Sequence, residues 1–415
     1  MAGNLRRRDR CRMCEGPRLE LALPIKASPI ADAYVPAARL GQVQPTYPLD
    51  LYLCLDCGHV QNLDIVDPET LFRDYLFLTS ASGGLVEHFR GYAAEVISHF
   101  GIRPGSLVVE IGSNDGSLLR FFKDRGMKVL GVDPAREIAR QATQGGVPTL
   151  PEFFGSAVAS SIRAEHGPAS VIAANNVFAH ADDLADIVNG VRDLLADDGI
   201  FVFEVSYLVE IIDKFLFDTV YHEHVSYHSI SPLARFFERL GMQLFDVQRI
   251  ASKGGSIRGF AQRRAGGKRT QTAAVHELIA LEQRRGLGSL EPYRAFEGRI
   301  NVRKKALLDL LDKEVAKGAL IAGYGASTTT TTLMWHFELT RKLAFLADDN
   351  PHKHGLFSPG AHIPVVPSGE LYVRRPDYVI VLAWIYAEPI IRRHQRFLEE
   401  GGKFIIPLPE LKVVG

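Results

Sequence analysis

Short apolar runs set the rhythm of this chain. Leu107-Val108-Val109-Glu110-Ile111, Val129-Leu130-Gly131-Val132-Asp133, Ser170-Val171-Ile172-Ala173-Ala174 and the segment from Ile200 to Val205 are almost continuously hydrophobic. Runs of that length and composition suit parallel strands covered on both faces. Between them, stretches such as Ser117 to Arg125 and Asp182 to Leu195 carry the mixed polar and apolar spacing of helices. The alternation predicts a doubly wound α/β sheet that takes ligands at the carboxyl ends of its strands. A polar, Arg-rich helical connector, about 269–315, follows. The α/β pattern then restarts with Ala319 to Gly323, Leu343 to Asp348, Tyr378 to Leu382 and Lys403 to Pro407. The first seventy residues lack this rhythm: prolines punctuate short β-like pieces such as Leu49 to Leu53. The division expected is a small lobe over 1–70, a doubly wound domain over 71–285, and a second, Rossmann-like α/β lobe over 286–415 that includes the helical connector.

Cysteine placement adds a metal. The chain has 415 residues and 4 cysteines, and Cys11-Arg12-Met13-Cys14 and Cys54-Leu55-Asp56-Cys57 pair them as two C-x2-C knuckles. Four thiolates in such pairs match the closed tetrahedral coordination of structural zinc and leave no position for catalysis at the metal. A lobe this small would depend on its ion to fold well. Basic Leu5 to Arg10 leads into polar, cysteine-containing sequence rather than an apolar stretch, so no secretory signal is expected. No run reaches the roughly 18–20 apolar residues of a membrane span, and a cytoplasmic protein is expected. Lys+Arg and Asp+Glu are 48 each. That balance argues against a general nucleic-acid-binding surface.

The strand ending at Glu110-Ile111 runs into Gly112-Ser113-Asn114-Asp115-Gly116, after which a helix begins. Glycines at such a turn let a ligand approach backbone N–H groups. Asp133 ends the next strand, where a carboxylate accepts ribose hydroxyls. The pattern is neither the dinucleotide G-x-G-x-x-G nor a P-loop. E-x-G-x-N-x-G with that acidic partner resembles motifs I and II of class I methyltransferases, which bind S-adenosylmethionine. The resemblance implies that Glu110, Gly112, Asn114 and Gly116 shape the methionine side, Asp133 holds the ribose, and Asn175 and Asn176 lie beside the methionine moiety.

Residues 221–228 read Tyr-His-Glu-His-Val-Ser-Tyr-His. A polar loop, a metal site of His222, His224 and His228, and a catalytic base are all open readings of the residues alone. On a regular strand Tyr221 and Glu223 would face away from His224, so convergence of the three requires a turn or bulge. A second glycine turn, Gly323-Tyr324-Gly325-Ala326-Ser327, is either structural or a pyrophosphate cradle formed near Gly325, Ala326, Ser327 and Thr328.

Zinc knuckles, a methyltransferase core, the Tyr-His-Glu-His string and a second α/β lobe together resemble the nucleotide-sugar C-methyltransferases over essentially the whole chain. The 3-C-methyltransferases of D-tetronitrose biosynthesis are the nearest kind. The resemblance implies methylation at C-3 of a dTDP-4-keto-deoxysugar in antibiotic biosynthesis. By it, His224 is the base, Tyr221 and Glu223 support it and contact substrate, His180 is a second active-site histidine, and Tyr75 lies near the methyl donor. His222 receives no role. The carboxyl-terminal lobe would hold the nucleotide sugar, with Lys353 in a nucleotide-side run. Arg258, in Lys253-Gly254-Gly255-Ser256-Ile257-Arg258, either meets phosphate or is a surface hairpin residue. Methylation at C-5, a zinc-ribbon nucleic-acid-binding protein with a degenerate methyltransferase fold, and a dehydrogenase are the rival readings. The sequence leaves the oligomeric state open, a monomer being one reading.

Overall fold

The computed structural model describes residues 4–73 and 78–415. Its central sheet has seven strands in the order Met242–Ile250, Ser256–Arg263, Leu195–Ser206, Ala169–Asn175, Leu107–Ile111, Lys128–Val132, Thr149–Leu150. The five strands from Leu195–Ser206 to Thr149–Leu150 run parallel, and the hairpin at the other edge is antiparallel. Each apolar run read from the sequence is a buried strand here. Successive side chains point to opposite faces, so Val108, Val171 and Val202 pack with Phe89, Tyr92 and Phe122 on one side. Val109, Ile172 and Phe203 enter the larger core on the other.

A second sheet orders Val365–Pro367, Leu346–Asp348, Ile321–Tyr324, Tyr378–Val381, Lys403–Ile406, Lys412–Val414, all parallel except the last. The connector is two helices, Ala273–Arg284 and Glu291–Val315. Tyr293, Phe296, Ile300, Leu307 and Leu311 form the buried stripe of the longer one, at the three-, four- and seven-residue spacing of an amphipathic helix. Burying each such side chain stabilises by about 2 kcal/mol. No helix among the described residues is long and apolar enough to cross a membrane.

The amino-terminal lobe is less separate than the sequence suggests. Its antiparallel sheet orders Ser226–Tyr227, Val60–Asn62, Leu51–Cys54, Leu19–Leu23. The first of these comes from the segment carrying the Tyr-His-Glu-His string. A second pairing, Val35–Pro36 with Leu356–Phe357, ties the same lobe to the carboxyl-terminal one. The zinc lobe therefore shares backbone hydrogen bonds with both of its neighbours.

Candidate active site and metal centre

Cys11, Cys14, Cys54 and Cys57 bring their four Sγ atoms within 4.8 Å of one another. Cys11 and Cys57 are 3.6 Å apart, and Cys14 and Cys54 are 3.5 Å apart. Zinc–sulfur bonds of about 2.3 Å put tetrahedral sulfurs about 3.8 Å apart, whereas a disulfide would need about 2.05 Å. The residues fit zinc, and with all four positions taken by thiolate the ion is structural. Arg12, between the first two ligands, is 2% exposed. It donates to Gln61 Oε1 at 3.1 Å and Val225 O at 2.8 Å, and pairs with Asp182 at 3.2 Å.

At the carboxyl ends of the central strands lies a cavity of about 570 Å³. Gly112 (φ 65°) and Gly116 (φ 76°) occupy the left-handed region. A Cβ on Gly112 would lie 2.2 Å from Val177 Cγ2, so only glycine allows both the turn and the close packing. Asn114 N donates to Asp133 Oδ2 at 2.8 Å and Ala135 N to Asp133 Oδ1 at 2.9 Å. Each carboxylate oxygen keeps a second lone pair for a ligand hydroxyl. Burial raises the Asp133 carboxyl above its usual range, and the two amides oppose that.

Among the described residues, four that line the cavity carry buried polar atoms with no hydrogen-bond partner: Glu110 Oε2, Ser113 Oγ, both side-chain polar atoms of Asn175, and His180 Nε2. Burial pushes Glu110 well above the carboxylate range; the Asn175 amide opposes this from nearby without a bond of proper geometry. Such groups are costly unless a ligand completes them. A carboxyl that can meet a cation, an amide with both polarities, and an acceptor for a diol fit S-adenosylmethionine. Asn176 (φ 57°) donates its N–H to Glu204 O at 2.8 Å, turning the chain at the cavity rim.

The Tyr-His-Glu-His string forms a turn, closed by His224 N donating to Tyr221 O at 2.9 Å; the strand starts only at Ser226. The turn meets the convergence requirement by placing the Tyr221 hydroxyl 2.9 Å from His224 Nε2. His224 Nδ1 lies 2.8 Å from Thr219 O, so Nδ1 carries the proton and Nε2 presents its lone pair. Burial lowers His224 to about 4, partly opposed by the Thr219 carbonyl. His180, whose ring is 5.0 Å from that of His224 and stacked on Phe72, is held well below its ordinary value by burial. Both rings are neutral near pH 7. Tyr221, Glu223 and His180 line the cavity.

Three bodies hold this turn. Val225 O accepts from Arg12 and, at 3.0 Å, from Asn62 N. From the carboxyl-terminal lobe, Thr332 Oγ1 donates to Val220 O at 2.7 Å and Trp384 Nε1 to Asp218 Oδ2 at 2.8 Å. From the core, Ala179 O accepts from Val225 N at 3.0 Å. His222 turns away to pack on Tyr47, and His228 lies against Phe178. The three histidines of the metal reading are thus not gathered, and the cysteines are the potential metal-binding group among the described residues. Tyr75 lies outside the described residues.

The expected sugar-nucleotide residues are placed differently. Arg258 is neither on the surface nor among the cavity-lining residues: its guanidinium is buried, paired with Glu204 at 2.7 Å and Glu95 at 2.6 Å, and stacked over Tyr92. Gly325 (φ 109°) makes a true glycine turn, but Ala326 N is already bonded to Asp348 Oδ2 at 2.6 Å. Ser327 Oγ contacts the hydroxyls of Thr329 and Thr330, and Thr328 opens the helix Thr328–His336. Lys353 Nζ is held by Asp32 Oδ1 at 2.7 Å and Ala326 O at 2.6 Å. These five residues gather at one strand end of the second sheet and do not line the cavity. Sequence reasoning passed over Ser113, Glu152, Phe153 and Lys253, which do line it. Glu152-Phe153 follow strand Thr149–Leu150 after Pro151, close to the kind of strand-end position that singled out Asp133.

The family comparisons cover nearly the whole chain. Residues 11–72 match a zinc binding domain, 85–247 a methyltransferase domain, and 251–409 a C-methyltransferase C-terminal domain. The C-methyltransferase NovU of Streptomyces niveus is 35% identical over 407 residues, covering 98% of this chain and 97% of NovU. Among solved structures, magnesium protoporphyrin IX methyltransferase from Synechocystis PCC 6803 with bound SAH aligns at 15% identity and TM-score 0.34, over 43% of this chain and 83% of that one. A 1,6-didemethyltoxoflavin-N1-methyltransferase from Burkholderia thailandensis aligns at 18% identity and TM-score 0.32, over 42% and 77%. The near full-length match, the three domain matches and the two sites together show that the chain belongs to the zinc-binding, S-adenosylmethionine-dependent C-methyltransferase family that includes NovU.

Proposed function

We propose that this enzyme methylates C-3 of a nucleotide-linked 4-keto-deoxysugar, of the dTDP type, through an enolate. The observation that carries the reading is the Tyr221–His224 pair, 2.9 Å apart beside a cavity whose buried polar atoms lack partners. Bound S-adenosylmethionine supplies an electrophilic methyl group. A ketone at C-4 acidifies the C-3 proton, because the carbanion delocalises onto the oxygen. That proton passes to the Tyr221 oxygen as the Tyr221 hydroxyl proton moves to His224 Nε2, the base of the hydrogen-bonded pair. Thr219 O steadies the resulting imidazolium at Nδ1. The C-3 electron pair then forms the new carbon–carbon bond as the methyl–sulfur bond breaks. Glu223 and His180 position the sugar, and Glu110, Gly112, Asn114, Gly116, Asp133, Asn175 and Asn176 hold the donor. Much of the rate comes from holding carbon, methyl and sulfur in line. The lobe carrying Gly325, Ala326, Ser327, Thr328 and Lys353 receives the nucleotide if Lys353 exchanges Asp32 for a phosphate. Arg258 acts through Glu204 beneath the donor site rather than on phosphate.

The test is turnover with S-adenosylmethionine and a panel of dTDP-4-keto-6-deoxysugars, with and without a 3-amino group, the product carbon being identified by NMR. Methylation at C-3 supports the reading, and methylation at C-5 would replace it. His224→Asn should abolish turnover while donor binding by calorimetry stays within about twofold; retained turnover removes His224 from the mechanism.

A further inference from the structure

Lys253 is absent from the acid–base scheme above, yet it lines the cavity from a strained backbone turn. It is a non-glycine residue in the left-handed region (φ 50°, ψ 37°), a conformation in which the β-carbon crowds the following carbonyl oxygen. The two residues after it, Gly254 (φ 87°) and Gly255 (φ 149°), also have positive φ. The turn is locked on all sides. Gly255 N donates to Ser252 O at 3.0 Å, Lys214 Nζ to Gly254 O at 2.8 Å, and Ser256 Oγ to Ser252 O at 3.0 Å. A Cβ on Gly255 would meet Glu210 Cβ at 2.7 Å. Strain persists where the surroundings over-determine it, and such positions cluster at functional sites.

The strained turn delivers a cation to the cavity. Of the two basic residues on its described wall, Arg6 is ion-paired with Asp182, whereas Lys253 has no ion pair or hydrogen bond among the described residues. Its charge is felt by Glu223, His224 and His180. It therefore stands on the same side of the cavity as the proton-accepting pair. An enolate also needs something the Tyr221–His224 unit does not give, a positive group or donor at the oxygen where negative charge accumulates.

We propose that Lys253 is a catalytic residue whose ammonium contacts the C-4 oxygen of the sugar and stabilises the enolate formed when the C-3 proton is lost. The proposal rests on the enolate reading of the reaction. As the proton moves from C-3 to the His224–Tyr221 unit, the electron pair of the C–H bond becomes the carbon–carbon double bond. The carbonyl π pair moves onto oxygen beside Lys253. When the new carbon–methyl bond forms, the oxygen returns to a ketone and Lys253 keeps its protons throughout. Preorganised donors of this kind act on the transition state more than on the bound substrate.

The experiment compares wild type with Lys253→Met and Lys253→Arg. It measures kcat and KM for the keto-sugar, donor affinity by calorimetry, and incorporation of solvent deuterium at C-3 with S-adenosylhomocysteine replacing the donor. Lys253→Met should lower kcat and the deuterium exchange rate together, by about 100- to 1000-fold. KM and donor affinity should stay within about threefold, and Lys253→Arg should recover part of the exchange rate. A raised KM with unchanged kcat and exchange would overturn the proposal, assigning Lys253 to the diphosphate instead. Unchanged kinetics in both variants would overturn it as well. If wild type itself neither exchanges nor methylates any keto-sugar, the enolate reading fails first.

Discussion

Replacing Arg12 with methionine cuts a direct connection between the metal knuckle and the turn that carries His224. The side chain is 2% exposed, so solvent does not screen its interactions. Its bonds to Gln61 and Val225 are to neutral acceptors, worth about 1 kcal/mol each, and its pairing with Asp182 is worth about 1.5–3 kcal/mol. Two effects reduce the sum. Asp182 keeps Arg6 and Arg8 as partners, so its charge is not stranded and the roughly 3–5 kcal/mol cost of an orphaned buried ion does not apply. Arg12 Nη2 has no partner in the native state, so removing it relieves a desolvation cost, while the methionine stem refills the apolar part of the space. The net expected loss is about 2–3 kcal/mol. Urea unfolding of the zinc-loaded protein measures it as a lower midpoint at unchanged m. Methyl transfer should slow as Val225 O loses one of its two donors, while S-adenosylmethionine affinity, proposed to be set on the Glu110–Asp133 side, stays within about twofold. A stability change below about 0.5 kcal/mol with full turnover would refute the claim that the knuckle holds the turn.

Chelation should be more severe: with a strong chelator the amino-terminal sheet loses its closing group, and because that sheet pairs with Ser226–Tyr227, methyl transfer should fall with it. One zinc per chain by elemental analysis and a lowered Tm after chelation check this; full activity without zinc would contradict it. Acid should destabilise the fold from below neutral. His222 is 2% exposed and lowered by burial from 6.5 to about 4. The unfolded chain therefore binds its proton first, and the stabilisation present above pH 6.5 is lost towards pH 4, about 3 kcal/mol from this residue alone. A Tm flat from pH 7.5 to 4.5 would count against it. With His224 also near 4, the acid limb of kcat/KM should lie well below pH 6.5; a limb at 6.5 would show the ring to be solvated. Because Glu110 is raised well above its usual range in the open cavity, binding a cationic donor beside it should release a proton. Calorimetry in buffers of different ionisation enthalpy should detect that release, and its absence would mean that the cation sits elsewhere.

What the sequence determined by itself is whatever a local pattern encodes. The strands from Leu107 to Val205 were legible because burial on both faces demands unbroken apolar runs. The zinc set was legible because two ligands per knuckle are fixed by spacing, and the glycine turn because Gly112 and Gly116 must adopt positive φ. What only the tertiary structure decided depends on partners far apart in the chain. Tyr221 and His224 meet because a turn closes at that point, which alternating side chains on a strand would forbid. Arg258 is a buried partner of Glu204, 54 residues earlier, and lies outside the cavity lining. Ser226–Tyr227 leaves the central domain to join the zinc-lobe sheet, a pairing set by hydrogen bonds across 165 residues and not by any motif. Lys253 was visible only inside a string that drew attention to its arginine. Its importance comes from a strained turn and from the cavity it faces, and both exist only once Glu210, Leu216 and Glu223 have been folded around it.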